Sequence, residues 1–378
     1  MTVFAGKNLI HTLIALVALS FGLRANAAEL FEFSRPTRAL GMGGVYLPFV
    51  SDTDAVFWNP AALARVKSLS WEVFDLGVGV NGKDALELWE IVQDDTCTGP
   101  SCYGDLYGKP LWIGYHGGTK IVVPRVGFTL FTSGYLSGTL HNPAFPSLNL
   151  TYLDDYGFAA GYGFPVIENL NGGLTVKRIH RRGGTEDISL STVTSNDSSI
   201  LDEFDRKGTG YGFDLGLQWL LPGTPQTIVS LHWQDVGSTA FIPDGDNGSP
   251  PRIKDNLSLG IGNEIDLPGM EIRTGFEYRH ITLQGEQIGK KLHLGAEVSL
   301  PLIDLRVGLN QGYPTLGAGL DLFFLRIDAA SYSEEVGIYP GQNPSQRYKV
   351  GLSMNFSVDA DFGFTTVDGK KRKLKQRR

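Results

Sequence analysis

The stretch 38–66, RALGMGGVYLPFVSDTDAVFWNPAALARV, decides how the rest of the chain is read, because it fits neither a strand nor an ordinary helix. It opens with three glycines in four residues, Gly41, Gly43 and Gly44, which permit backbone paths closed to other residues. It passes an acidic pair, Asp52 and Asp54, and ends on Asn59-Pro60-Ala61, where Pro60 lacks a donor and restrains Asn59 to extended or turn geometry. The segment is too apolar for a linker. It reads as a compact plug packed inside the C-terminal remainder of the chain.

That remainder reads as strand. In Leu292 to Leu300 the set Leu292, Leu294, Ala296, Val298 and Leu300 alternates with His293, Gly295, Glu297 and Ser299. Strict alternation marks a half-buried strand. The same split puts Tyr211, Phe213, Leu215, Leu217 and Trp219 against Gly212, Asp214, Gly216 and Gln218, and it recurs from Met270 to Arg279 and from Tyr348 to Val358. Leu69 to Val80 keeps one apolar face only if a bulge sits near Phe74-Asp75.

Such alternation fits a soluble sandwich, with its bulky face inside, or a membrane barrel, with its bulky face outside. The small face decides. It mixes glycine with charged residues, as a lumen filled by a plug requires, whereas a sandwich gains little from glycine in water. Connection lengths agree: long at 81–110, 182–207 and 235–254, short at 117–120, 221–225 and 266–269, with the longest all on one parity. That is the contrast between extracellular loops and periplasmic turns. About fourteen strands are expected, an all-β transmembrane antiparallel barrel over 69–358 with the plug, or hatch, over 28–68.

The N-terminus is a targeting segment. Lys7 supplies a positive start, Leu9 to Leu23 an apolar run, and Ala25-Asn26-Ala27 a small-x-small cleavage site, so 1–27 reads as a secretory signal peptide. The run contains His11 and falls short of the roughly 20 residues a bilayer-spanning helix needs. An exported chain without a later apolar helix meets a membrane only as a barrel. Export also suits Cys97 and Cys102, which flank a Gly-Pro-Ser turn and are expected to form a disulfide; without a third thiol or nearby histidine they cannot complete a zinc shell.

The net charge of −7 hides a basic tail, KKRKLKQRR at 370–378, that leaves the remainder strongly acidic. Basic runs can touch nucleic acid, lipid phosphate or a polyanionic wall. Export argues against nucleic acid, and 359–378 is expected to be a solvated periplasmic tail. The segment 83–93 has apolar residues at helical spacing and acidic residues early, as in a short surface helix.

The opening stretch resembles the FadL-type outer-membrane family, whose members transport long-chain fatty acids and other hydrophobic compounds. The matching residues are Arg38-Ala39-Leu40-Gly41-Met42-Gly43-Gly44, the Asp52/Asp54 region, and Ala55 to Ala64 with Asn59-Pro60-Ala61. Family members carry a glycine-rich start and an NPA motif in a hatch inside a fourteen-stranded barrel. PorV-like barrels, attachment or shuttle components of a secretion system, are similar in the same region. The resemblance implies that Asn59, Pro60 and Ala61, with Gly41, Gly43 and Gly44, lie on a movable plug that gates the lumen. It also implies a kinked strand that opens the wall sideways, with Gly134 and Gly138 as candidates here. Lys349-x-Gly351-x-x-Met354-x-Phe356 resembles the signal read by outer-membrane assembly machinery, although residues 357–378 lie beyond the aromatic.

No enzymatic motif is present: neither GxSxG, HExxH nor a glycine-lysine phosphate loop occurs, and GMGG lacks dinucleotide spacing. No cofactor is expected. Asp244-Gly245-Asp246-Asn247-Gly248 has oxygens at alternate positions, as a calcium loop has, but lacks a later bidentate glutamate and reads as a polar loop tip. The inward charges Glu271, Arg273, Glu277, Arg279, His293, Glu297, Asp304 and Arg306 are either a polar conduit or, more commonly, cross-strand support for a plug. The leading expectation is a monomeric barrel in the bacterial outer membrane, contacting lipid and lipopolysaccharide and admitting a hydrophobic small molecule. Leu86, Trp89, Ile91, Phe145 and Phe241 are the capture candidates. The alternative is a non-transporting barrel that docks or shuttles another protein; a general porin is disfavoured by the plug.

Overall fold

The computed structural model describes residues 29–30, 32, 35–82, 107–141, 147–189 and 204–359. Its strands are β1 (Ser68–Asn81), β2 (Pro110–Val123), β3 (Val126–His141), β4 (Ser147–Ile167), β5 (Leu170–Ser189), β6 (Lys207–Leu221), β7 (Gln226–Gln234), β8 (Phe241–Pro243), β9 (Asn256–Leu267), β10 (Met270–Tyr278), β11 (Leu292–Ser299), β12 (Ile303–Asn310), β13 (Tyr313–Leu322), β14 (Leu325–Glu335) and β15 (Pro344–Asp359). Every named strand pairs antiparallel with its neighbours, β1 closes on β15, and β7 pairs directly with β9. The short β8 adds to the end of β6 outside this circuit. The result is a closed barrel of fourteen strands, the number expected.

The pleat is inside out relative to a soluble sheet. Phe213 is 56% exposed and its neighbour Asp214 0%, so the apolar face looks outward and the polar face into the lumen. An exterior of this kind requires hydrocarbon around it, and the closed ladder satisfies the backbone without water. The barrel is of outer-membrane type. The expected bulge in β1 is present: its register against β15 shifts between Glu72 and Phe74, returning Leu76, Val78 and Val80 to the outer face.

Short turns gather at one end, at Pro124-Arg125, Glu168-Asn169 and Pro268-Gly269, and long connections at the other. Arg125, Asn169 and Gly269 take positive φ in these turns, as tight hairpins of this twist require.

The lumen is filled by the segment that precedes β1. It contains helix α1 (Thr37–Gly41), helix α2 (Ala55–Trp58) and a 3-10 helix, Pro60–Arg65. Beyond α1 the chain reverses through Gly43 and Gly44, both at positive φ, and the Gly44 amide bonds back to the Ala39 carbonyl at 2.8 Å. Asn59 is extended, as Pro60 demands, and its side chain caps the 3-10 helix by accepting from the Ala61 amide at 3.1 Å. Met42, Val45, Val50, Ala55, Val56, Ala61, Ala62 and Leu63 are wholly buried. Among the described residues, the barrel's largest hydrophobic core is therefore the hatch itself.

The signal segment, the basic tail beyond 359, Cys97 and Cys102, the helical expectation at 83–93, and Leu86, Trp89, Ile91 and Phe145 lie outside the described residues.

Candidate functional site

The hatch sits in a seat with two unlike halves. On the side of β10 to β13 the grip is polar. Arg38 of α1 makes a bidentate pair with Glu297 of β11 at 2.9 and 2.6 Å, and Glu297 also receives Arg273 at 2.7 Å and Arg306 at 2.6 Å. Glu277 of β10 accepts the Tyr46 and Leu47 amides at 2.5 and 2.6 Å and Arg279 at 2.6 Å. Arg279 in turn donates to the Gly44 carbonyl and lies over the Trp58 ring at 4.8 Å. His293 contacts the Gly43 carbonyl at 3.0 Å, and the Thr315 hydroxyl donates to the Gly41 carbonyl at 3.1 Å. The inward charges thus hold the plug's backbone where its glycine turn leaves carbonyls unpaired. Buried carboxylates and guanidinium groups persist only when paired in this way.

On the side of β2 to β6 the contact is mainly apolar. Val56, Phe57, Trp58, Ala62, Leu63 and Val66 form one cluster with Val122, Ala159 and Ile179 of the wall and continue to Phe241 and Ile253 at the long-loop end. The Phe57 and Phe131 rings meet edge to face at 5.2 Å. Leu63 lies beside the β2–β3 turn, where its carbonyl accepts the Arg125 amide at 3.2 Å. An apolar strip therefore runs down one wall from the loop end to the turn end, covered by the hatch.

Glycine on the inner face allows this approach. A Cβ on Gly173 would lie 2.2 Å from the Pro60 carbonyl carbon, one on Gly216 2.2 Å from Asn59 Oδ1, and one on Gly295 2.1 Å from the Met42 carbonyl oxygen. Hatch backbone rests directly on wall backbone at Gly173 and Gly295, and the Asn59 side chain does so at Gly216.

A third grip joins hatch to wall through Lys120 of β2, which reaches Asp54 at 2.6 Å, Asp75 at 2.7 Å and Glu72 at 3.1 Å. Asp54, Glu72 and Asp75 are close enough to share a cation, and the Lys120 ammonium fills that place. Burial pushes the Asp54 carboxyl up to about 7, the neighbouring carboxylates adding to the rise and Lys120 opposing it. The seated hatch therefore keeps a proton that a released Asp54, with a value of about 3.9, gives up. This contribution is full below about pH 4 and is lost as pH climbs to 7. Hydrogen exchange of residues 45–58 is expected to quicken over that window beyond the intrinsic rate, and Asp54→Asn should remove the pH-dependent part.

The other candidates separate. Gly134 and Gly138 face outward on β3, whose pairing with β2 and β4 runs without a register break across both; the Tyr115 ring lies over Gly134 and its hydroxyl donates to Asp154 at 2.5 Å. Phe241 is buried at the top of the apolar strip, beneath the Arg181 guanidinium at 5.0 Å. Asp244 to Gly248 is an exposed loop tip. Sequence reasoning missed Lys120, Arg347 with Glu29 at 2.7 Å, and Lys177, which lies between Asp214 and Asp235 at 2.7 and 2.9 Å. Arg347 and Lys177 sit at inward positions of strands that the alternation had located; Lys120 was missed because 117–120 read as a connection, whereas it lies within β2.

Cavities of about 10, 20, 60 and 70 Å³ border the hatch. The one of about 20 Å³ is lined by Trp58, His232 and Glu277; the one of about 70 Å³ lies between Leu40, Trp112, Tyr135 and Arg347.

Comparison with solved structures places this architecture. A mutant of the TodX monoaromatic hydrocarbon channel superimposes with a TM-score of 0.51 over 86% of this chain and 99% of its own, at 12% identity. The chain has the fold of that channel. A Pseudomonas aeruginosa FadL homologue aligns over 88% of this chain and 100% of its own at 11% identity, with a TM-score of 0.49. No protein-family model matches the sequence, and no curated protein matches it.

Proposed function

We propose that the chain is an outer-membrane channel for hydrophobic small molecules of fatty acid or hydrocarbon type, and that its hatch is the gate. The observation that carries this reading is the apolar strip of Phe241, Ile179, Phe131, Ala159 and Val122, which the hatch residues Phe57, Val56 and Leu63 cover. When the hatch withdraws from this wall, the strip is uncovered as an apolar track from loop end to turn end, flanked by the paired charges of Lys177 and Arg181. An apolar guest replaces the hatch's own apolar face there, and burial supplies the driving force without an energy source in the chain. The fold shared with a hydrocarbon channel supports the same reading. In the seated state these cavities are each smaller than the roughly 150 Å³ that holds a benzene-sized guest, which favours passage by movement of the hatch.

One observation favours a second reading, a non-transporting barrel that docks another protein: the grip on the hatch is dense and β3 shows no register break. The two separate by experiment. Protein extracted in mild detergent is expected to bind long-chain fatty acid or a monoaromatic hydrocarbon, read by native mass spectrometry, and deletion of 59–61 is expected to change uptake into vesicles. Recovery of a stoichiometric protein partner, with neither ligand bound, would overturn the channel reading.

A further inference from the structure

The wall is not equally tall all round. On β4 the outward residues from Tyr156 to Val166 are apolar save for the edge of the turn, and ten steps at ~3.4 Å, tilted by ~40°, give a band about 26 Å high, the height such barrels present to lipid. On β12 the outward set is only Ile303, Leu305, Val307 and Leu309, and six steps give about 16 Å by the same reckoning. β11 and β12 have 8 residues each, against 21 and 20 for β4 and β5. At its long-loop end β12 passes through the two-residue turn Gln311-Gly312 directly into β13, so its apolar set is cut short at both ends, the turn end included.

The turns there differ from their counterparts across the barrel. The tips of β2–β3 and β4–β5 carry exposed Arg125 and Glu168-Asn169, whereas β11–β12 turns through Leu300-Pro301-Leu302 and β13–β14 through Leu322-Phe323-Phe324. Phe323 is 90% exposed and Leu302 53%. The charges near this end, Asp304, Asp321, Arg326 and Asp328, pair with one another around the lumen. Part of the turn backbone is tied off as well: the Leu302 carbonyl accepts the Asp321 amide at 2.9 Å, the Phe324 carbonyl accepts the Asn355 amide at 2.7 Å, and the Leu300 amide donates to the Ile303 carbonyl at 2.8 Å. Apolar tips with paired backbone can enter hydrocarbon, where an open polar turn cannot.

We infer that the turns 300–302 and 322–324 are a lipid-embedded surface, sunk into the acyl layer of the adjacent leaflet, which is thinner beside β11 to β14 than beside β4 and β5. The occupant of this surface is lipid acyl chain, because the patch is continuous with the apolar exterior of the same strands. Mismatch of this size is met by thinning the bilayer or tilting the barrel, and either brings these tips under the headgroups.

Nitroxide labels at Phe323→Cys, Leu302→Cys and Glu168→Cys, each with Cys97→Ser and Cys102→Ser, test this in phosphatidylethanolamine–phosphatidylglycerol vesicles. Labels at 323 and 302 are expected to collide with oxygen severalfold more than with a water-soluble nickel chelate, and the label at 168 to show the reverse. Nickel accessibility at 323 and 302 equal to that at 168 would overturn the inference. Protection from both reagents would overturn it in favour of a second copy or a protein partner covering the turns. Two positions on separate turns keep the test decisive if one variant fails to insert.

Discussion

Glu297→Ala should release the hatch while leaving the barrel assembled. Glu297 is the acceptor shared by Arg38, Arg273 and Arg306, and removing one partner of a buried ion pair typically costs about 3–5 kcal/mol because the remaining charge stays uncompensated. Arg306 and Arg273 retain other carboxylates, Asp304, Asp328, Glu264 and Glu271. Arg38, on the hatch, loses both bonds of its bidentate pair. The expected result is a barrel with unchanged heat-modifiable mobility and strand content, but faster proteolysis within 38–66 and faster entry of a hydrophobic probe into vesicles. Glu297→Gln, which keeps the shape and loses the charge, should fall between. A wild-type proteolysis rate in Glu297→Ala would show that the pair does not hold the hatch.

The second large effect is expected at Gly173. Any side chain there meets the Pro60 carbonyl group and the Ala61 amide at 2.2 to 2.3 Å, which are backbone atoms and cannot rotate away. Overpacking of a tight core usually costs about 1–3 kcal/mol. Here the cost falls on the hatch, since β5 is fixed by pairs on both sides. Gly173→Val should therefore displace Asn59-Pro60-Ala61, abolish the Asn59 cap and raise probe entry. Gly172→Val, on the outer face of the same strand beside Phe164, serves as the control and should leave the hatch seated. Equal uptake in the two variants would contradict a hatch resting on wall backbone.

The architecture was legible because a membrane barrel writes its inside and outside on alternate residues. Gly212, Asp214 and Gln218 against Tyr211, Phe213 and Leu217 was enough to set the direction of the pleat, and the β1 bulge followed from one broken alternation. The hatch was legible from composition: Pro60 fixes Asn59, and Gly43-Gly44 demand a turn. What the hatch touches was not, since Arg38 and Glu297 are 259 positions apart and no local pattern couples them. Gly134 and Gly138 are ambiguous in sequence for the same reason. A glycine in a strand marks either a bend or a large neighbour, and at Gly134 the neighbour is the Tyr115 ring, visible only once β2 lies beside β3. The short strands β11 to β13 were visible as tight spacing, but their meaning for the bilayer depends on which turn tips share an end.

In the proposed channel a guest passes only when the hatch leaves the apolar wall. A Cβ on Gly127 of β3 would lie 2.4 Å from a Val56 methyl carbon, so these two positions are close enough to be joined reversibly. In a chain with Cys97→Ser and Cys102→Ser, Val56→Cys with Gly127→Cys should form a disulfide on oxidation. Uptake of a labelled monoaromatic hydrocarbon or fatty acid into vesicles is then predicted to stop when the pair is oxidised and to return on reduction. Uptake that continues at the reduced-state rate with the hatch locked to β3 would contradict the account.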